Sequence, residues 1–310
     1  MNIVKKKSML WIWLVILIIL EIGGWGSLYL FKGRPKIIAW WFIQILGIVG
    51  VITIITCIIL IMKDIIKHKK TKLIKVITCL MAIFVAWPAG WIFKIAQIAY
   101  PADVHAVKPS VTVSVPFQET TIVGWGGDKL EHNYHVTVPV QRYAYDLLIE
   151  PAGMGSHKLE DYGIYGKDIV APASGVIIDL QGNEEDMTPG ILDEADTRLG
   201  NYIYIKLDET GTYLVLAHLM KDSILVEKGQ HIEEGTVIAK AGNSGDSSEP
   251  HLHIHHQREN PLTDNFLLSE GLPLYFKSDN GPIMPNGGVR VENGCDVPIG
   301  DRISPVQITK

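Results

Sequence analysis

Three long apolar runs occupy the first hundred of the chain's 310 residues, more hydrophobic helix than a fold of that size can bury. Met9 to Phe31 is 23 residues with one acid, Ile37 to Met62 is 26 with no charge, and Leu73 to Trp91 is 19 with Lys75 near its start. Each reaches the roughly 20 residues that cross a hydrocarbon core of about 30 Å. Three transmembrane helices are therefore expected, at about 9–31, 37–62 and 73–95. A cleaved signal peptide does not account for the first run, which is too long, lacks a small-residue cleavage signature and is followed by two more runs. Glu21, beside Gly23, Gly24 and Gly26, reads as a helix-contact or interfacial residue rather than a functional intramembrane acid.

Charge gives the spans a direction. Lys5, Lys6 and Lys7 precede the first, and Lys63, Lys67, Lys69, Lys70 and Lys72 separate the second from the third; only Lys32, Arg34 and Lys36 lie on the other side. Because basic residues close to spans stay in the cytoplasm, the N-terminus is expected inside and everything after about residue 100 outside. The first hundred residues hold 13 of the 28 Lys and Arg but two of the 33 Asp and Glu, a net +11, which leaves −16 for the rest. Seven of the eight tryptophans lie in the first part and ten of the eleven histidines in the second. This split excludes a simple soluble globule, a nucleic-acid binder with a basic face and a disordered chain. Cys57 and Cys79 sit inside apolar runs and Cys295 stands alone, so no disulfide scaffold is expected.

The expected organisation is a membrane domain over 1–100, a linker over 101–110 and an extracytoplasmic domain over 111–310 with its core at 133–260. From Val111 onward, short β-branched runs alternate with glycine-rich breaks. Strands are expected at Val111–Val115, His135–Val138, Tyr143–Ile149, Asp168–Val170, Gly175–Leu180, Tyr202–Leu207, Tyr213–His218, Thr236–Ala241 and His251–His255. The fold class is mainly β, an antiparallel sheet preceded by three transmembrane α-helices. The acidic segment Gly182–Gly200, with Glu184, Glu185, Asp186, Asp193, Glu194 and Asp196, reads as a solvated loop.

The chemistry concentrates in Glu249-Pro-His251-Leu-His253-Ile-His255-His256. Strand residues two apart share a face, so His251 and His253 present two imidazoles about 7 Å apart along the chain. A bare HxH is weak evidence, but this one follows the turn-rich Gly242–Ser248 and is accompanied by Tyr213-Leu-Val-Leu-Ala-His218-Leu219 and Tyr143-Ala-Tyr-Asp146. On that alternation His255 flanks the pair, while His256 on the other face and His231 in a turn are expected to be exposed.

These residues resemble the zinc metallopeptidases of the lysostaphin and LytM type, peptidase family M23. The resemblance runs from about Gln141 to Gln257 through YAYDL, YGKDIVAPASGVI, GNYIYIKL, LAHL, VEKGQHIEEGTVIAKAGNSG and SSEPHLHIH. It implies a compact antiparallel sheet lining a groove and a catalytic Zn²⁺. Asp146 and His253 then become zinc ligands, and His251 and His218 the catalytic pair. It further implies peptide bonds of bacterial cell-wall peptidoglycan as substrate and a multi-pass position in a bacterial cell membrane, with the lipid bilayer as the other partner and no nucleic acid. Alternatives are a metallopeptidase acting on a secreted protein or peptide, a degenerate member that binds or regulates at the wall, and a membrane sensor.

One departure concerns the metal. The family's first ligand lies four residues before the aspartate, where this chain has Arg142, and a guanidinium has no lone pair to offer. If Pro139–Arg142 form a four-residue hairpin loop, His135 falls opposite Asp146 on a shared face. His135 is therefore expected to be the third ligand, with His132 or His157 as alternatives. Two imidazoles and a carboxylate leave a fourth tetrahedral position for water, the arrangement of catalytic zinc.

Overall fold

The structure is a computed structural model that describes residues 2–191, 195 and 197–306, with side chains from residue 9 onward. The chain divides into two compact units, Met1–Pro101 and Ala102–Lys310.

The first unit is three helices: α1 (Asn2–Leu30), α2 (Arg34–Ile66) and α3 (Leu73–Ala86). Pro88, which has no N–H to donate, coincides with the change from α3 to a 3₁₀ segment, Trp87–Phe93. Met9–Leu30, Arg34–Ile66 and Leu73–Phe93 are long and apolar enough to cross a membrane. The third of these helical stretches ends at Phe93, before Lys94, which takes a left-handed conformation, φ 57°. Ile19, Ile22, Ile45 and Ile52 stand well exposed on these helices, an apolar surface suited to lipid and not to water. A Cβ added at Gly50 would lie 2.7 Å from the Ala86 backbone nitrogen, so glycine is what lets α2 and α3 approach. Glu21 is buried and accepts a 2.8 Å hydrogen bond from Trp25, whose ring stacks on Trp87.

The second unit is mainly β. Its strands are β1 (Val111–Val113), β2 (Thr121–Trp125), β3 (Tyr145–Leu148), β4 (Asp168–Val170), β5 (Gly175–Gln181), β6 (Asn201–Leu207), β7 (Tyr213–Leu219), β8 (His231–Ile232), β9 (Val237–Lys240), β10 (Leu252–Gln257), β11 (Gly271–Leu272), β12 (Leu274–Phe276), β13 (Val289–Glu292), β14 (Cys295–Pro298) and β15 (Arg302–Ile303). The main sheet runs β15-β2-β3-β10-β7-β6-β5-β8, with β11 added beside β10. All its pairings are antiparallel. Leu147, Ile203, Ile205, Leu214, Leu216, Leu252 and Ile254 form part of one buried core with Ile169 and Ile238 from the small β4–β9 sheet.

Two expectations need correction. His135–Val138 is not a strand: Tyr134–Thr137 and Pro139–Gln141 are consecutive 3₁₀ turns, so no hairpin places His135 opposite Asp146. Pro139 lacks a ladder donor, and Asn133 caps the turn by accepting from the His135 N–H. His256 does face away from His253 but is buried, because the central strand β10 is covered on both sides; it contacts Thr212 Oγ1 at 2.6 Å. His231 is half-exposed beside Asp208.

The acidic segment also differs from a solvated loop. Glu184 is buried and accepts from the Thr197 amide and hydroxyl. Asp186 accepts from the backbone amides of Lys221 and Asn243. Asp193, Glu194 and Asp196 lie outside the described residues, as do the last four residues of the tail.

Candidate metal centre

Asp146 is the middle of the site. In β3 it lies opposite His253 of β10 and beside Trp125 of β2, and residues opposed across an antiparallel pair share a face. His253 Nδ1 is 2.9 Å from Asp146 Oδ1. From the other side, the turn at Tyr134–Thr137 brings His135 Nε2 to 3.5 Å from Asp146 Oδ2. The three residues are buried, and their ligand atoms lie within 4.8 Å of one another. Among the described residues no other group of three His, Cys, Asp or Glu has this geometry. His132 contacts Glu131, and His157 contacts the Pro189 carbonyl. Arg142, at the position the family's histidine would take, pairs with Asp128 at 2.7 Å.

Asn133 settles the tautomer of His135. It is fully buried, and its amide nitrogen donates to the carbonyls of Gly127 and Ala144, which can only accept. Its Oδ1 must therefore accept, from the His135 backbone N–H and from His135 Nδ1 at 2.9 Å. That leaves His135 Nε2 as a bare lone pair facing a carboxylate. Burial pushes the His135 imidazole down to about 3, against the pull of Asp146, so the ring stays neutral. Two acceptors facing each other without a proton repel, and a cation between them removes the repulsion. Zinc bonds of about 2.0–2.2 Å in a tetrahedron place neighbouring ligand atoms about 3.3–3.6 Å apart; the His135–Asp146 separation of 3.5 Å falls in that range, and the His253–Asp146 separation of 2.9 Å is somewhat shorter. The donor set fits Zn²⁺.

Two more histidines face this cluster. His251 donates from Nδ1 to the Glu249 carbonyl at 2.8 Å, and its Nε2 stands 3.7 Å from Asp146 Oδ1. Strict alternation would send His218 to the opposite face, since its neighbour Ala217 pairs with His253. The backbone of His218 is left-handed, φ 62°, a costly conformation of the kind found at functional sites. It turns the ring back, so that the His218 centroid lies 4.6 Å from His251 and 6.0 Å from His253. His218 Nδ1 donates to the Ser244 carbonyl at 2.8 Å, and burial lowers its proton affinity well below the usual histidine value.

The loop after β9 supplies that carbonyl. Ser244 Oγ accepts from the Asn201 N–H and donates to the Leu219 carbonyl, while Asp186 holds the Asn243 N–H. Gly245 (φ 78°) allows the loop to touch the backbone just before β6: an added Cβ would lie 2.2 Å from the Gly200 nitrogen. A cleft of about 540 Å³ opens beside the cluster, lined by Tyr134, Arg198, Tyr204 and Asp264 along with His135, His218 and His253. The Tyr134 hydroxyl donates to Asp146 Oδ2 at 3.2 Å. Asn133, Tyr134, Asp186 and Ser244 were not identified from the sequence as site residues. An Asn two residues before a His, the spacing of an Asx turn, is the one local signal that pointed to Asn133.

Residues 155–264 match the model of peptidase family M23. The match contains His218, His251 and His253 and begins downstream of His135 and Asp146. The catalytic domain of the antimicrobial peptidase lysostaphin from Staphylococcus simulans is similar at 18% identity over 49% of this chain and 86% of that one, TM-score 0.30. A zinc-containing peptidase from Vibrio cholerae is similar at 20% identity over 56% of this chain and 39% of that one, TM-score 0.31. The complex of SpoIIIAH and SpoIIQ is similar at 20% identity over 49% of this chain and 98% of the matched one, TM-score 0.31. The chain spans 40% of the lysostaphin chain whose solution structure it matches.

Proposed function

We propose, from the match of residues 155–264 to the model of peptidase family M23, that the chain is a membrane-anchored zinc metalloendopeptidase that hydrolyses peptide bonds in bacterial cell-wall peptidoglycan. The observation that supports this most is the convergence of two buried imidazoles and a carboxylate beside two further histidines whose Nδ1 atoms are held by backbone carbonyls. The basic clusters flanking the apolar helices support a cytoplasmic N-terminus and an extracytoplasmic peptidase unit, within reach of a wall.

His135 Nε2, Asp146 and His253 Nδ1 would hold the metal. Zinc bound there supplies a Lewis acid and lowers the pKa of a bound water toward about 7. His251, with Nδ1–H on Glu249, offers the Nε2 lone pair as the general base that takes a proton from the attacking water. His218 is neutral at rest and also has its free Nε2 lone pair. It donates only after receiving a proton, and its low proton affinity then makes it an effective acid toward the leaving amine nitrogen. The 4.6 Å between the two rings suits a pair that handles one proton in turn.

The test is digestion of purified peptidoglycan by the full chain in detergent, with and without a chelator, with the released termini read by mass spectrometry. New amino termini in the stem or cross-bridge peptides, suppressed by the chelator, are expected. An intact wall alongside chelator-sensitive cleavage of soluble peptides would move the substrate to secreted proteins. No cleavage of either would overturn the assignment.

A further inference from the structure

Along β10 the site continues into a buried chain of side chains that the catalytic scheme does not use. His253 Nε2 is 3.0 Å from His255 Nδ1, His255 Nε2 is 2.9 Å from Gln257 Oε1, and Gln257 Nε2 donates to the Glu259 carbonyl at 2.7 Å. His253, His255 and Gln257 are all almost wholly buried, and strand alternation places all three on one face.

The last bond fixes the direction of the others. The Glu259 carbonyl can only accept, so the Gln257 amide must present its nitrogen there and its oxygen to His255. Facing that oxygen, His255 Nε2 carries the hydrogen. The one hydrogen of the imidazole ring is thus spent on Gln257, and His255 Nδ1 faces His253 as a bare acceptor. The hydrogen between the two imidazoles therefore belongs to His253 Nε2. The Gln141 amide nitrogen, itself a donor, lies 3.4 Å from that nitrogen, a longer and weaker contact than the 3.0 Å one to His255. His253 is left with its lone pair on Nδ1, the atom 2.9 Å from Asp146 Oδ1.

We propose that His255 and Gln257 are positioning residues that lock His253 in the Nε2–H tautomer and so deliver Nδ1 to the metal, a relay anchored on the Glu259 carbonyl. Asn133 does the same for His135 with the nitrogens exchanged, leaving Nε2 free. The two imidazoles thus bind through different atoms because their outer partners differ, and outer partners of this kind set ligand orientation and basicity. The proposal rests on the metal-centre reading above.

The test compares His255→Asn with His255→Leu in the full chain. The two side chains are nearly isosteric, and only the Asn oxygen can replace Nδ1 as acceptor. Zinc affinity is measured by chelator competition, and the His253 tautomer by solid-state ¹⁵N spectra of histidine-labelled, zinc-loaded chain in bilayers, its signal assigned by loss in His253→Gln. Wild type is expected to show a single Nε2–H tautomer. His255→Leu should give mixed tautomers and roughly ten- to hundredfold weaker zinc binding, while His255→Asn should stay within about threefold of wild type. A wild-type His253 carrying its proton on Nδ1 would overturn the proposal without any variant needing to fold. Equal zinc affinity and tautomer in the Leu and Asn variants would overturn it as well. The choice of His253 nitrogen in the zinc-loaded spectrum tests the relay, whereas failure of the wild type to bind stoichiometric zinc would overturn the metal centre instead.

Discussion

Asn133→Leu isolates the residue that presents His135, because it keeps the volume and removes every hydrogen bond. Asn133 makes four: two donated to Gly127 and Ala144, and two accepted from the His135 backbone and ring. Three backbone groups then lose a partner at a fully buried position, each at about 1–3 kcal/mol before relaxation, so a net loss of roughly 3–5 kcal/mol is expected. That is a large fraction of a typical 5–15 kcal/mol stability, and at about 2–4 °C per kcal/mol for a unit of this size it lowers the melting temperature by roughly 6–20 °C. Free of its Nδ1 partner, His135 can also rotate or change tautomer, and zinc binding should weaken by about ten- to hundredfold. Scanning calorimetry and chelator competition on the full chain in detergent give both quantities. A variant with wild-type melting and wild-type zinc affinity would refute the reasoning, since four bonds at a buried site cannot vanish without effect.

Other perturbations separate the remaining roles. His251→Ala should keep zinc and lose hydrolysis by at least about a hundredfold, the usual scale of a general base; undiminished cleavage would remove His251 from the chemistry. Gly245→Ala forces a Cβ against the Gly200 backbone at a positive φ, so the loop holding Ser244 under His218 shifts, and turnover should fall with zinc retained; wild-type turnover would show that the loop does not position His218. In the metal-free chain, burial pushes His255 to about 3 and His256 to about 4, so both are neutral in the fold and charged when unfolded below about 6.5. Because their folded values are depressed, the stability they support is complete above pH 6.5 and lost as pH falls toward 4, with about two or more protons taken up on unfolding. Stability independent of pH between 6.5 and 4.5 would contradict this.

What the sequence revealed of the site follows the physics of strands. Asp146 and His253 were named through the family resemblance, and their direct pairing across β3 and β10 places both on one face. His135 was nominated through a hairpin that does not exist; it reaches Asp146 by a 3₁₀ turn capped by Asn133, and no period reports such a turn. His218 was legible only through its LAHL context, because its left-handed backbone breaks the alternation on which a pattern reading depends. His256 was placed on the right face and the wrong side of solvent: that β10 is covered on both faces is a property of the assembled sheet, not of the strand. The apolar helices were the most readable of all, since length and composition alone decide whether a segment can cross a membrane.

The claim that His135, with Asp146 and His253, holds the metal is tested most directly by zinc content per chain, measured by mass spectrometry on purified full-length wild type, His135→Ala and His132→Ala. One zinc in wild type and His132→Ala, and its loss or ready removal by weak chelators in His135→Ala, is the expected result. Full, tightly held zinc in His135→Ala would contradict it.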